Sequence, residues 1–238
     1  MNNKFRITLI SDTHTKHEEL LWDKTDLPGG DLLIHAGDIM NSGFNSNDIT
    51  NFCSWFDTLE QYDHKVFIAG NHDRKFEDKP EQALEIVNSY KNITYLQDDW
   101  VKVGIDEEMA KIYGSPWQPE FYNWAFNLPK GGPGLMSKWE AIPEDTDILI
   151  THGPPQDHLD MSGPPYNEPH LGCALLREKV DEQPPKIHVF GHIHGGYGYK
   201  FHNGTHFFNA SILNERYDYV NKPVTFDWNP ETNEVVFI

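Results

Sequence analysis

Five polar clusters, each set directly after an apolar run, hold residue types that bind divalent cations or move protons. In chain order they are Asp12-Thr13-His14, Gly37-Asp38, Gly70-Asn71-His72-Asp73, His152-Gly153 and Gly191-His192-Ile193-His194. Neutral imidazole, carboxylate and amide oxygen suit first-row divalent ions, and no thiolate is among them. Asp12 and His14 are two residues apart, as are His192 and His194, so in extended backbone each pair shares a face and can converge on one ion. The glycine before Asp38 lets the backbone turn sharply enough to aim that carboxylate into the same crevice. With His72 set aside, Asp12, His14, Asp38, Asn71, His152, His192 and His194 exceed one four-coordinate site. Two ions sharing a bridging carboxylate fit that set better. Its spread along the chain argues against a zinc finger, whose ligands lie close in sequence.

The elements that must position these residues are legible as apolar runs and periodicities. Residues 5–10 alternate and then turn apolar, as a strand entering a sheet does, and 31–38 read as a second buried strand closed by Gly and Asp. Ser46-Asn47-Asp48 offers a helix N-cap, followed by Ile49, Phe52, Cys53, Phe56 and Leu59 at helical spacing. A strand over 66–70 completes a β-α-β unit, and a helix over 80–90, with Pro at its start, gives another crossover. From 93 to 114 the pattern becomes short strands (93–95, 100–103, 110–113), which predicts a second, partly antiparallel sheet. Residues 114–124 are rich in Pro and aromatics and read as a structured loop over the site, with Trp117, Phe121 and Tyr122 as candidates to stack on a base. A helix over 135–141 precedes a strand that runs into His152, and the Pro- and Gly-rich stretch 154–169 has the length of a functional lid. A helix over 171–180 leads to the strand 186–190, which ends in the last cluster; His188, His202 and His206 read as structural. Strands over 205–209, 224–228 and 235–238 close the chain. No internal repeat, low-complexity tract or linker divides it, so residues 1–238 read as a single domain.

The balance of charge narrows the partners. A formal net charge of −18 argues against long nucleic acid and anionic membrane, since counterion release requires basic patches. No apolar run approaches a membrane span, and Met1-Asn2-Asn3-Lys4 leads straight into a strand without a charged-then-apolar leader. Cys53 and Cys173 lie far apart and read as buried thiols, so the expected setting is reducing and cytoplasmic.

Taken in order, D-x-H, G-D, G-N-H-D, a lone H-G and G-H-x-H resemble the motif series of the calcineurin-like metallophosphoesterases. His35-Ala36-Gly37-Asp38 and the stretches 114–127, 147–155 and 186–198 are similar to the brain-expressed metallophosphoesterase-domain proteins and their microbial relatives. The resemblance implies an α/β fold, a four-layer α-β-β-α sandwich of two mixed sheets flanked by helices, with the site at one edge. It implies that Asp12, His14 and His194 bind one ion, that Asn71, His152 and His192 bind the other, and that Asp38 bridges them. His72 would face the scissile phosphate, with Asp73 orienting it. Some relatives that carry glycine in place of the first histidine of the last motif are poor enzymes; this chain keeps His192. The implied activity is a phosphodiesterase hydrolysing small nucleotide diesters, cyclic nucleotides first, with two divalent ions (Mn2+ the first choice; Fe, Zn, Co or Ni compatible). Such ions hold the attacking and phosphoryl oxygens and make a bridging hydroxide available at neutral pH. A phosphomonoesterase or phosphoprotein phosphatase is the enzymatic alternative. A non-catalytic interaction module is the other, against which the intact His72, His192 and His194 speak.

Overall fold

Strands buried on both faces read as continuous apolar runs, and this chain folds by covering two such sheets inside and out. The computed structural model describes residues 4–20, 26–105 and 108–238. The first half comprises β1 (Phe5–Ile10), α1 (His17–Leu20), β2 (Gly30–His35), α2 (Ser46–Asp57), β3 (Tyr62–Phe67), α3 (Arg74–Asp78), α4 (Pro80–Val87) and β4 (Thr94–Tyr95). There follow β5 (Asp99–Ile105), β6 (Glu108–Ser115), β7 (Gln118–Pro119), β8 (Asn127–Leu128), α5 (Pro133–Glu140) and β9 (Ile148–Thr151). The last third holds α6 (Ala174–Glu182), β10 (Ile187–Phe190), β11 (Gly198–His202), β12 (Thr205–Asn209), β13 (Val224–Asn229) and β14 (Glu234–Phe237).

One sheet has the order β14-β13-β1-β2-β3-β4, and the other β11-β12-β10-β9-β6-β5. Both are mixed: β1, β2, β3 and β4 run parallel, as do β12, β10, β9 and β6, while β13, β14, β11 and β5 pair antiparallel. Ile7, Leu9, Leu32, Ile34, Ile148, Ile150, Val189 and Phe208 fill the space between the sheets. Residues one position out of phase face the helices, as the period of two requires. Leu33 and Phe67 meet Ile49, Phe52 and Phe56 of α2, and Leu149, Phe190 and Phe207 meet Leu135, Trp139 and Leu176 of α5 and α6. The result is the expected four-layer α-β-β-α sandwich. Cys53 and Cys173 are free, buried thiols in the two outer cores.

Several local expectations shift. The α2 cap is Asn45, whose side chain accepts from the Asn47 amide, one residue before the expected cap. β4 extends the first sheet instead of opening the second, because Tyr95 packs on Phe67 and Phe76. The aromatic stretch after β6 is braced by a short parallel pairing of β7 with β8. β11, over residues to which the sequence reading assigned no element, forms a hairpin with β12. Among the described residues, no helix is long and apolar enough to cross a membrane.

Candidate metal centre

β1, β2 and β3 point their carboxyl ends to one edge of the first sheet, and β9 and β10 point theirs to one edge of the second. All five predicted clusters follow those ends, so the two sheets deliver them to one cleft. The loop after β1 is zipped to the loop after β2 by the Asp12, His14 and Thr15 amides, which donate to the carbonyls of Gly37, Asp38 and Ile39 at 2.9–3.0 Å. Across the sandwich, the His192 amide donates to both oxygens of Asp12 at 3.1 Å. Asp12, His14, Asp38 and His192 all have positive φ, between 43° and 66°. Left-handed backbone at non-glycine residues costs roughly 1–2 kcal/mol each and concentrates where surrounding bonds impose it, at working sites.

The imidazoles are oriented alike. Nδ1 of His14, His152 and His194 lies 3.2, 3.0 and 2.9 Å from the carbonyls of Met40, Ala36 and Asn214. A carbonyl only accepts, so in each ring Nδ1 carries a proton and Nε2 is the nitrogen turned to the cleft, the atom left for an ion in metal-ligating histidines. Nε2 of His14 is buried and has no hydrogen-bond partner among the described residues. The two carboxylates, Asp12 and Asp38, are 0% and 2% exposed, and among the described residues they face imidazoles, amides and a hydroxyl, with no lysine or arginine paired to them. Asp38 Oδ2 stands 3.6 Å from His14 Nε2 and 3.4 Å from His152 Nε2, between the two sets of ligands. Ligand atoms of Asp12, His14 and His194 lie within 4.8 Å of one another, as do those of Asp12, Asp38 and His152. The Asn71 amide oxygen is 2.9 Å from His152 Nε2, and the His192 ring centre is 5.1 Å from that of His152. Two buried carboxylates, a His14 Nε2 without a partner among the described residues and an all-nitrogen-and-oxygen donor set fit divalent ions.

The electrostatics agree. Burial alone would raise Asp12, yet the hydrogen bond and charge of His194 hold its carboxyl well below the usual range. Asp38 is held down in the same way, against burial, by the charges of His152 and His72. Burial draws His14 down to about 4, and burial with the charge of His152 draws His192 down to about 3. Burial is outweighed at His152, which Asp38 lifts to about 9. Glycine is required at the closest approaches: a Cβ at Gly191 would lie 2.0 Å from Asp12 Oδ2, and one at Gly70 would lie 2.3 Å from Asp38 Oδ1.

His72 stands beside this group, its ring 4.7 Å from His14 and stacked on Trp124 at 4.0 Å. Its orientation corrects one expectation. His72 Nδ1 bonds to the Asn41 carbonyl, and Asp73 does not touch the ring. Asp73 instead accepts from the amides of Ile39, Met40 and Gly70 at 2.7–3.2 Å, clamping the loop after β2 to the loop after β3.

Trp117 is also corrected. Its indole donates to Asp98 at 2.8 Å, Lys138 covers its ring at 4.3 Å and Phe126 packs against it, so it is held in the packing. Phe121 does border the cleft, 46% exposed and edge-on to His192 at 5.6 Å, with Tyr122 packed behind it. Four contributors escaped the sequence reading: Ser211, which donates to Asp12 Oδ2 at 2.8 Å; Asn214, through its carbonyl; Trp124; and Tyr217, edge-on to His14 at 4.7 Å. A signal existed for the first. β12 is an apolar run ending in Asn209 and Ser211, and it lies parallel to β10, so its end reaches the same edge.

The sandwich and the cleft define a class, and comparison with known proteins gives its family. The chain belongs to the calcineurin-like phosphoesterases, whose family model matches residues 5–196. It is 40% identical over 243 aligned positions to human metallophosphoesterase domain-containing protein 1, covering 93% of this chain and 70% of that protein. Solved structures share the fold: TT1561 of Thermus thermophilus, with a TM-score of 0.62 at 14% identity over 98% of each chain, is one. The phosphopantetheinyl hydrolase of Mycobacterium tuberculosis is another, with a TM-score of 0.58 at 15% identity over 91% of this chain and 92% of that one.

Proposed function

We propose that residues 1–238 act as one dinuclear-metal phosphodiesterase domain for small nucleotide diesters, with cyclic nucleotides the leading substrates. The observation that supports it most is the pair of buried carboxylates ringed by imidazoles that turn Nε2 toward them, with His72 at its margin. In this reading Asp12, His14 and His194 hold one ion, Asn71, His152 and His192 the other, and Asp38 lies between them. Mn2+ is the first ion to test, and Fe, Zn, Co and Ni suit the same donors. Bound ions would supply Lewis acidity and neutralise charge on the phosphoryl oxygens.

The chain's own groups account for the rest. The Asn41 carbonyl fixes the Nδ1 proton of His72, so the proton this residue gains or releases is at Nε2, where it can serve the leaving oxygen. Trp124 holds the ring against rotation. Phe121 and Tyr217 give the cleft aromatic edges on which a base can lie, and stacking of that kind is worth about 1–3 kcal/mol. The net charge of −18 favours small substrates over long nucleic acid, and a cytoplasmic setting suits the free thiols.

The test is hydrolysis of bis-p-nitrophenyl phosphate beside p-nitrophenyl phosphate by metal-stripped protein resupplied with Mn2+, with His192→Ala as control. Metal-dependent turnover of the diester, lost in the variant, is the expected result, and cyclic nucleotides are assayed next. Turnover of the monoester alone would replace this reading with a phosphatase. Silence on both with metal bound would replace it with an interaction module.

A further inference from the structure

A second cluster of metal-ligand types lies outside the cleft. Ligand atoms of His158, Asp181 and His202 fall within 4.8 Å of one another. They come from three elements: His158 from the stretch after β9, Asp181 from the last turn of α6, and His202 from the end of β11. His158 is the informative member. It is 0% exposed, its ring stacks on Phe207 at 4.0 Å, and neither Nδ1 nor Nε2 has a hydrogen-bond partner among the described residues. A buried imidazole with both nitrogens unsatisfied is costly, and such a group in a native fold calls for a partner. The ring of exposed His202 lies 5.4 Å away between centres.

We propose that His158, Asp181 and His202 form a separate site for a borderline divalent ion such as Zn2+. Two imidazoles and one carboxylate, with no thiolate, are the donor set for Zn2+, Ni2+ or Cu2+ and a poor one for Mg2+ or Ca2+. Burial, then the charges of Lys200 and Arg177, hold His158 down to about 4, so its lone pair is available at neutral pH. Those two cations oppose a third positive charge, and the structure shows how each is already engaged. Lys200 donates to the Asp157 carbonyl at 2.9 Å, and Arg177 donates to Asp181 Oδ2 at 2.6 Å, which leaves Asp181 Oδ1 for an ion.

An ion there would act as a clip. The stretch containing His158 leaves β9 just beyond His152 and is closed at its base by the Pro155–Cys173 bridge, at the start of α6. Leu159 then runs against Gly196, in the turn that carries His194. Fixing His158 to α6 and β11 therefore braces the segment that lies beside the cleft.

The experiment counts Zn2+ by plasma mass spectrometry after equilibrium dialysis of metal-stripped protein comprising residues 1–238. It is run on the wild type and on Asp38→Ala, which dismantles the main centre, each with and without His202→Ala or Asp181→Asn. Both added changes are at exposed positions, so folding is preserved where His158→Ala would disturb the packing on Phe207. The expected result is one ion per chain lost from either background on adding either change, or its affinity weakened by about 10-fold or more. Equal zinc content and affinity with and without His202→Ala would overturn the site. Asp38→Ala alone should keep the one ion of this site; retention of more than one ion per chain by Asp38→Ala would count against the main-centre reading and leave the His202 comparison standing.

Discussion

Gly70→Ala probes whether the close packing of glycine against the ligands shapes the cleft. Gly70 lies outside the left-handed region, so the argument is steric, not conformational. An added Cβ would stand 2.3 Å from Asp38 Oδ1, 2.5 Å from the Asp38 amide nitrogen and 2.6 Å from His152 Cε1. Contacts under 3.0 Å are essentially never seen, so Asp38 must retreat by about 0.7 Å. Because one of the opposing atoms is backbone, rotating a side chain cannot relieve the overlap. Overpacking of this kind costs typically 1–3 kcal/mol, a sizeable share of the marginal stability of a folded chain. A site tolerates only about 0.5 Å of error, and a displacement of about 1 Å lowers rate by about 10²-fold, so activity should fall by roughly that factor. Metal content after dialysis, a thermal melt and diester turnover are the readouts. Gly131→Ala is the control: at φ +72° with nothing within 4 Å of its Cβ, it should lose about 1 kcal/mol and no metal. Gly70→Ala protein with wild-type metal content and turnover would refute the reasoning.

Two other perturbations separate roles the cleft combines with those of the core beneath it. His72→Ala should keep its metal and lose rate by about 10²–10⁴-fold, the span of a lost proton-transfer group; metal content falling in step with rate would make His72 a ligand instead. His17, buried against Phe52 and Trp55 with no partner for Nδ1 among the described residues, is drawn by burial from 6.5 down to about 4. Between those values the unfolded chain binds more protons than the folded one, so this contribution is complete above pH 6.5 and lost as pH falls toward 4. The shift corresponds to about 3 kcal/mol at most. Urea melts should therefore show His17→Leu losing less stability than wild type between pH 7 and 4, whereas parallel curves would contradict the assignment.

The amino-acid sequence by itself marked the candidate ligands and the strands that bear them. Asp12, His14, Asp38, Asn71, His152, His192 and His194 each follow an apolar run, and a run buried on both faces can only be an interior strand. Parallel interior strands align their carboxyl ends, so ligand types placed there are brought together by the same apolar pattern that forms the core. The turn glycines were legible as well, though their reason was not: Gly70 and Gly191 make room for the carboxylates of Asp38 and Asp12, which approach from other strands.

Only the tertiary structure decided what holds the ligands in place. Asn41 and Asn214 act through backbone carbonyls, which every residue possesses, so no side-chain pattern announces them. Ser211 reaches Asp12 across 199 positions of sequence, and Trp124 reaches His72 across a loop whose path depends on the β7–β8 pairing. Asp73 shows the limit most plainly. Beside His72 in sequence, it is turned inward by three amides supplied by two separate strand ends, because backbone donors buried at that junction must be satisfied before any side chain is oriented.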